Sequence, residues 1–125
     1  MTKVEKIKSF NEILETFLQQ LSPIVGTTYH YYFKQLIKVN STMPIKTFLA
    51  EVSPYKEKIF NKDESYFLNI EDNSKDDRVN DDEVLSEILR LKDIYSKLDN
   101  QSRSEVWNYF QALIVISEEY VNLSN

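Results

Sequence analysis

Hydrophobic positions recur at steps of three and four along much of this 125-residue chain, the period of helices with one buried face. Val4, Ile7, Phe10, Ile13, Leu14, Phe17, Leu18 and Leu21 mark a first helix over about residues 2–20. Lys3, Lys6, Glu12, Glu15 and Gln19 fall mostly on its other side. Ser22-Pro23 then reads as an N-cap followed by proline at the first helical position, and Gly26 as a break before a second helix ending near Val39. Tyr29, Tyr32, Phe33, Leu36 and Ile37 carry the helical period there, with a strand as the competing reading of 27–33 because Tyr and Thr favour strands. Asn40 to Met43 is a turn. Pro44 opens a third helix with Ile45, Phe48, Leu49 and Val52 inward, and Ser53-Pro54 starts a short one that closes at Asn61. Residues 63–70 supply a helical turn or two, with Tyr66, Phe67 and Leu68 as core contacts. A further helix is expected over about 80–97, where Val84, Leu85, Ile88, Leu89, Leu91, Ile94 and Tyr95 are apolar.

Residues 106–116 (VWNYFQALIVI) depart from this one-sided pattern. Nine of the eleven are apolar or aromatic, and the two exceptions, Asn108 and Gln111, share one helical edge. Such a segment is expected to be buried nearly all round, as the axis of the domain. It is too short for a membrane span, which needs about 20 apolar residues. Ser102 and Glu105 have capping-box spacing just upstream, and the helix is expected to run to about Leu123. The fold class expected is all-α: one compact bundle of five or six helices around a C-terminal central helix, forming a single domain over 1–125.

Composition supports that class. Hydrophobic residues make up 42% of the chain, enough for one core, while one Gly and three Pro argue against a turn-rich β-sandwich. With no Cys there is no disulfide framework, thiol nucleophile or thiolate metal site. The start of the chain has no signal-peptide h-region, so the sequons at Asn40, Asn100 and Asn122 read as coincidences and the expected setting is intracellular. The formal charge of −5 is unevenly spread. Residues 1–62 carry a balance of +4, and residues 63–125 a balance of −9. Such halves attract one another or charged neighbours, and the acidity overall disfavours duplex nucleic acid.

Catalytic chemistry finds little support. His30 is the single histidine, set among tyrosines in a helical pattern with no thiol or second imidazole to complete a metal or nucleophile set. One glycine cannot build a phosphate loop. Glu118 and Glu119 are adjacent and point apart on a helix. The expected chain is therefore not an enzyme, and no cofactor is expected.

Three surface readings follow. The first is contact with another protein: fifteen Phe and Tyr exceed what such a core hides, and Tyr31, Tyr55, Tyr66 and Tyr120 lie near polar neighbours as an interface patch. The second is weak Ca²⁺ binding. Residues 72–83 match a twelve-residue calcium loop with Asp72, Ser74, Asp76, Asn80 and Glu83 as side-chain ligands and the Arg78 carbonyl at position 7. Position 6, which needs a left-handed turn, holds Asp77 instead of Gly, and the alternative is a solvated acidic loop over about 71–82. The third is a nucleic-acid accessory role. Tyr31 or Tyr32 would stack on bases and Lys34 and Lys38 would meet phosphates, with Lys46, Lys56, Lys58 and Lys62 extending the basic region.

Two stretches, PIKTFLAEVSPYKEKIFNKDESYFL and EILRLKDIYSKLDNQSRSEVWNYFQALIVIS, resemble a family of small helical proteins of nucleocytoplasmic large DNA viruses of the giant-virus kind. In that family a leucine-rich element is followed by a polar turn and a W-x-Y-x-Q helix, matched here by Trp107, Tyr109 and Gln111 over about residues 44–117. The resemblance implies a viral source and a helical fold without an activity. Together these readings lead to the expectation of a non-enzymatic protein–protein interaction module, virion-associated or host-directed, residing in host cytoplasm or virion.

Overall fold

The computed structural model describes residues 2–68, 83–91 and 94–123. Among them are seven α-helices: α1 (Lys3–Val25), α2 (Thr28–Val39), α3 (Met43–Glu51), α4 (Lys56–Phe60), α5 (Ser65–Leu68), α6 (Glu83–Arg90) and α7 (Asn100–Asn122), with 3-10 turns at Ser53–Tyr55 and Tyr95–Lys97. The fold is all-α, as the hydrophobic period requires. The count exceeds five or six because the helical turn expected within 63–70 is a short helix of its own.

α1 starts at a full capping box. The Glu5 N–H donates to Thr2 Oγ1 at 3.1 Å and the Thr2 N–H donates to Glu5 Oε1 at 2.9 Å. Its buried residues, Phe10, Leu14, Phe17, Leu18 and Leu21, form one stripe. The helix does not stop at residue 20, and Ser22-Pro23 does not open the next one: Pro23 lies inside α1. Proline leaves the Gln19 carbonyl without its N–H donor, and Ser22 Oγ supplies a hydrogen bond to that oxygen at 2.8 Å instead. The helix ends one turn later at Gly26, whose φ of 87° and N–H to Ser22 O at 2.8 Å close it.

α2 runs antiparallel to α1, tied by His30 Nε2 to Glu15 Oε2 at 3.2 Å near its start, with Asn11 Nδ2 donating to Ser41 O at 2.9 Å just past its end. Helix prevails over strand because Tyr29, Tyr32, Phe33, Leu36 and Ile37 all pack against the core from one face. α4 closes in a Schellman arrangement: Lys62 N–H to Ile59 O at 3.1 Å and Asp63 N–H to Lys58 O at 2.8 Å, with Lys62 at φ 55°. The helix expected over 80–97 is shorter, since Leu91 takes φ 50° after α6 and the chain turns. That turn lets Leu91, Ile94, Tyr95 and Leu98 all reach the interior.

α7 is central, packing on α1, α4 and α3. It runs antiparallel to α1, with Lys6 paired to Glu119 at one end and Phe17 against Tyr109 (5.0 Å) and Phe110 (5.8 Å) further along. Its cap is Asp99, whose Oδ1 accepts the Ser102 N–H at 2.7 Å, so Ser102 lies in the first turn and is not the cap. Nor is it buried all round. Val106, Trp107, Phe110, Leu113, Ile114 and Ser117 face inward, whereas Asn108 and Val115 are exposed. Phe110 is the hub of the core: its ring lies 5.8 Å from Phe17 of α1, 6.0 Å from Phe48 of α3 and 5.4 Å from Phe67 of α5.

Candidate interaction surface

α2 is the helix with the least interior. Phe33 is its one fully buried residue, anchoring it on α1, and Glu15 of α1 faces both His30 and Lys34 (3.9 Å). His30 is thus held on a carboxylate at the seam of two helices. The opposite face turns outward: Tyr31 is 66% exposed, and Lys34, Gln35, Lys38 and Val39 are exposed beside it. Tyr31, Lys34 and Lys38 stand at i, i+3 and i+7, which places them on one stripe. Among described residues, the Tyr31 and Lys38 side chains have no hydrogen-bond or ion-pair partner, so the stripe presents an aromatic body and an uncommitted ammonium group.

The four tyrosines expected in one interface patch do not form one exposed surface, since Tyr66 is buried while Tyr31 and Tyr55 are exposed. Tyr66 is a core residue, 4% exposed, and the aromatic chain continues from it to Phe67 at 4.8 Å. Burial pushes its hydroxyl well above the usual tyrosine range. Its burial agrees with the core contact expected in 63–70 and removes it from the interface patch: α5 is a single turn that tucks Tyr66 and Phe67 inward and leaves Leu68 exposed. Tyr55 is half exposed, with its ring against Tyr66 at 5.5 Å. Tyr120 is partly buried at the far end of α7, with the Lys3 amino group 5.0 Å from its ring centroid.

The expected basic region is likewise partly committed. Lys56 pairs with Glu118 at 2.6 Å and Lys58 donates to Ser65 Oγ at 3.2 Å, whereas Lys46 and Lys62 are exposed. Tyr32 is packed against the core and is not an open stacking platform. Of the calcium-loop positions, Asp72, Ser74, Asp76, Arg78 and Asn80 lie outside the described residues, and Glu83 opens α6. Among the described residues no group of three or more His, Cys, Asp or Glu side chains is placed to hold a metal ion. No described helix is long and apolar enough to cross a membrane.

Two polar clusters had no signal in the sequence. Glu51, with a side chain only 2% exposed, accepts from Ser86 Oγ at 2.8 Å and Arg90 Nε at 3.4 Å, fastening α3 to α6. Glu64 accepts from Tyr95 Oη at 2.8 Å and Arg103 Nη1 at 3.3 Å, while the Arg103 guanidinium lies 4.7 Å over the Tyr95 ring. The first joins α3 to α6 in the interior, and the second joins the turn before α5 to the Tyr95–Lys97 turn and α7 nearer the surface. No family model, curated protein or solved structure matches this chain.

Proposed function

We propose that this chain is a non-enzymatic interaction module that binds another protein through the outer face of α2, centred on Tyr31. The observation that carries this reading is the two-sidedness of α2. Phe33 and the His30 contact to Glu15 fix its inner face, while Tyr31 stands 66% exposed with Lys38 on the same stripe and Lys34 between them at its border with Glu15. An exposed tyrosine on a rigid helix offers a large apolar contact with a polar tip and loses little side-chain entropy on binding. The flanking lysines favour an acidic partner surface. Set beside the resemblance of residues 44–117 to giant-virus helical proteins, the partner would be a virion component or a host protein.

The test is a quantitative pull-down from the native cells with the wild-type chain and with Tyr31→Ala and Lys38→Glu, each with and without nuclease. Both variants are expected to retain the wild-type melting temperature, because surface changes of this kind stay within about 0.5 kcal/mol. Nuclease-resistant recovery of one dominant protein, lost in Tyr31→Ala, supports the reading. Equal recovery by both variants overturns it.

A second reading is favoured by the same stripe. Tyr31 stacked on a base with Lys34 and Lys38 on phosphates is a small single-strand platform. Recovery abolished by nuclease, together with salt-sensitive oligonucleotide binding lost in Lys38→Glu, would select it.

A further inference from the structure

A cavity of about 560 Å³ opens between the end of α1, the start of α2, α6 and the Tyr95–Lys97 turn. Its apolar side is made by Ile24, Val25, Tyr29 and Ile94, and its polar rim by Thr28, Glu87 and Lys97. That volume lies within the range of small-molecule sites, about 300–1,000 Å³, and the lining is about equally polar and apolar.

The two charges on the rim are what give the cavity a chemistry. Glu87 and Lys97 line the same space, yet they form no ion pair with each other, and among the described residues neither side chain has another hydrogen-bond or ion-pair partner. Opposite charges that line one cavity without pairing complement a molecule with an apolar body and a charge of each sign. The carboxylate end has further support on the Lys97 side of the rim or at Thr28, where α2 begins. The N-cap Thr27 supplies no side-chain hydrogen bond there, and the first turn holds no acidic residue.

We propose that this cavity binds a small apolar zwitterion, a large apolar amino acid or a dipeptide of such residues. Its carboxylate lies toward Lys97, its ammonium toward Glu87 and its side chain against Ile24, Val25, Tyr29 and Ile94. The site is separate from the α2 stripe and does not depend on it.

The test is a titration of the full ¹⁵N-labelled chain with L-phenylalanine and with the dipeptide leucyl-leucine. Each is compared with its N-acetylated and its C-amidated form. Saturable shifts of the Thr28, Tyr29 and Lys97 amides are expected at millimolar concentration, with about a tenfold loss of affinity in Lys97→Gln for the carboxylate and in Glu87→Gln for the ammonium. Both side chains are exposed, so both variants should keep the wild-type melt. Whichever probe saturates first identifies the source of the zwitterion. Absence of saturable shifts for both probes up to ~10 mM, shifts confined to amides away from the cavity, or capped forms binding as well as free ones would overturn the proposal.

Discussion

Glu51 of α3 and Arg90 of α6 meet inside the protein, with Arg90 Nε 3.4 Å from Glu51 Oε1 and side-chain exposures of 14% and 2%. A buried pair of this kind stabilises little relative to an apolar pair, but losing one partner strands the other charge. Glu51→Ala leaves the Arg90 guanidinium and the Ser86 hydroxyl facing a void. It is expected to cost about 3–5 kcal/mol, read as a lowered urea midpoint. Glu51→Leu combined with Arg90→Met should restore most of that loss. A double variant as unstable as Glu51→Ala would show that the pair is favourable in its own right.

The pair also marks the limit of what was legible in the sequence. The helical class, the central position of 106–116 and the inward faces of α1 to α3 follow from hydrophobic period alone, because burial of apolar stripes dominates the energy. Glu51 carries no such signal. It shares the inward face of Phe48, but a glutamate there looks like the solvated end of a helix until α6 arrives to cover it. Ser22-Pro23 failed for a local reason, since a serine hydroxyl replaced the one hydrogen bond that proline removes. Tyr66 reads in the sequence both as a core contact and as a surface tyrosine, and only the packing of the one-turn α5 against the core decides for burial.

Lys62 offers a stabilising change. It is exposed at φ 55°, in the left-handed region that costs an L-residue about 1–2 kcal/mol. Lys62→Gly removes that cost where no side-chain contact is lost, so the melting temperature should rise by about 3–5 °C. An unchanged or lower value would mean that glycine's greater freedom in the unfolded chain outweighs the relief.

Asp99 links the central helix to pH. Accepting the Ser102 N–H and hydroxyl holds its carboxyl below the ordinary value of 3.8. A carboxyl depressed in the folded state stabilises it above 3.8, and that contribution is lost as the pH falls through the lower folded value. Asp99→Ala should therefore melt earlier than wild type at neutral pH, with the difference shrinking in acid. A difference independent of pH would show that shape, not charge, makes the cap.

Tyr95 acts at the alkaline end. Burial, then the hydrogen bond to Glu64, pushes its hydroxyl from 10.0 to about 12. The folded state holds this proton more tightly than the unfolded state, so stability is intact below pH 10 and falls between 10 and 12. Tyrosinate absorbance followed with circular dichroism should show Tyr95 ionising only as helicity is lost. Ionisation of all eight tyrosines ahead of unfolding would refute this ordering.

Phe110 tests the architecture as a whole. Its ring is fully buried and touches aromatic rings from α1, α3 and α5, so it is the point at which three packing surfaces of the bundle meet. Truncation to Ala should cost about 3–5 kcal/mol, the range for a buried aromatic whose cavity cannot fully collapse. Domains of this size hold only about 5–15 kcal/mol in total, so Phe110→Ala should be partly unfolded or close to it at 37 °C. Val115→Ala, one and a half turns on along the same helix but 45% exposed, should lose under about 1 kcal/mol. Equal losses at the two positions would place the core on the wrong face of α7.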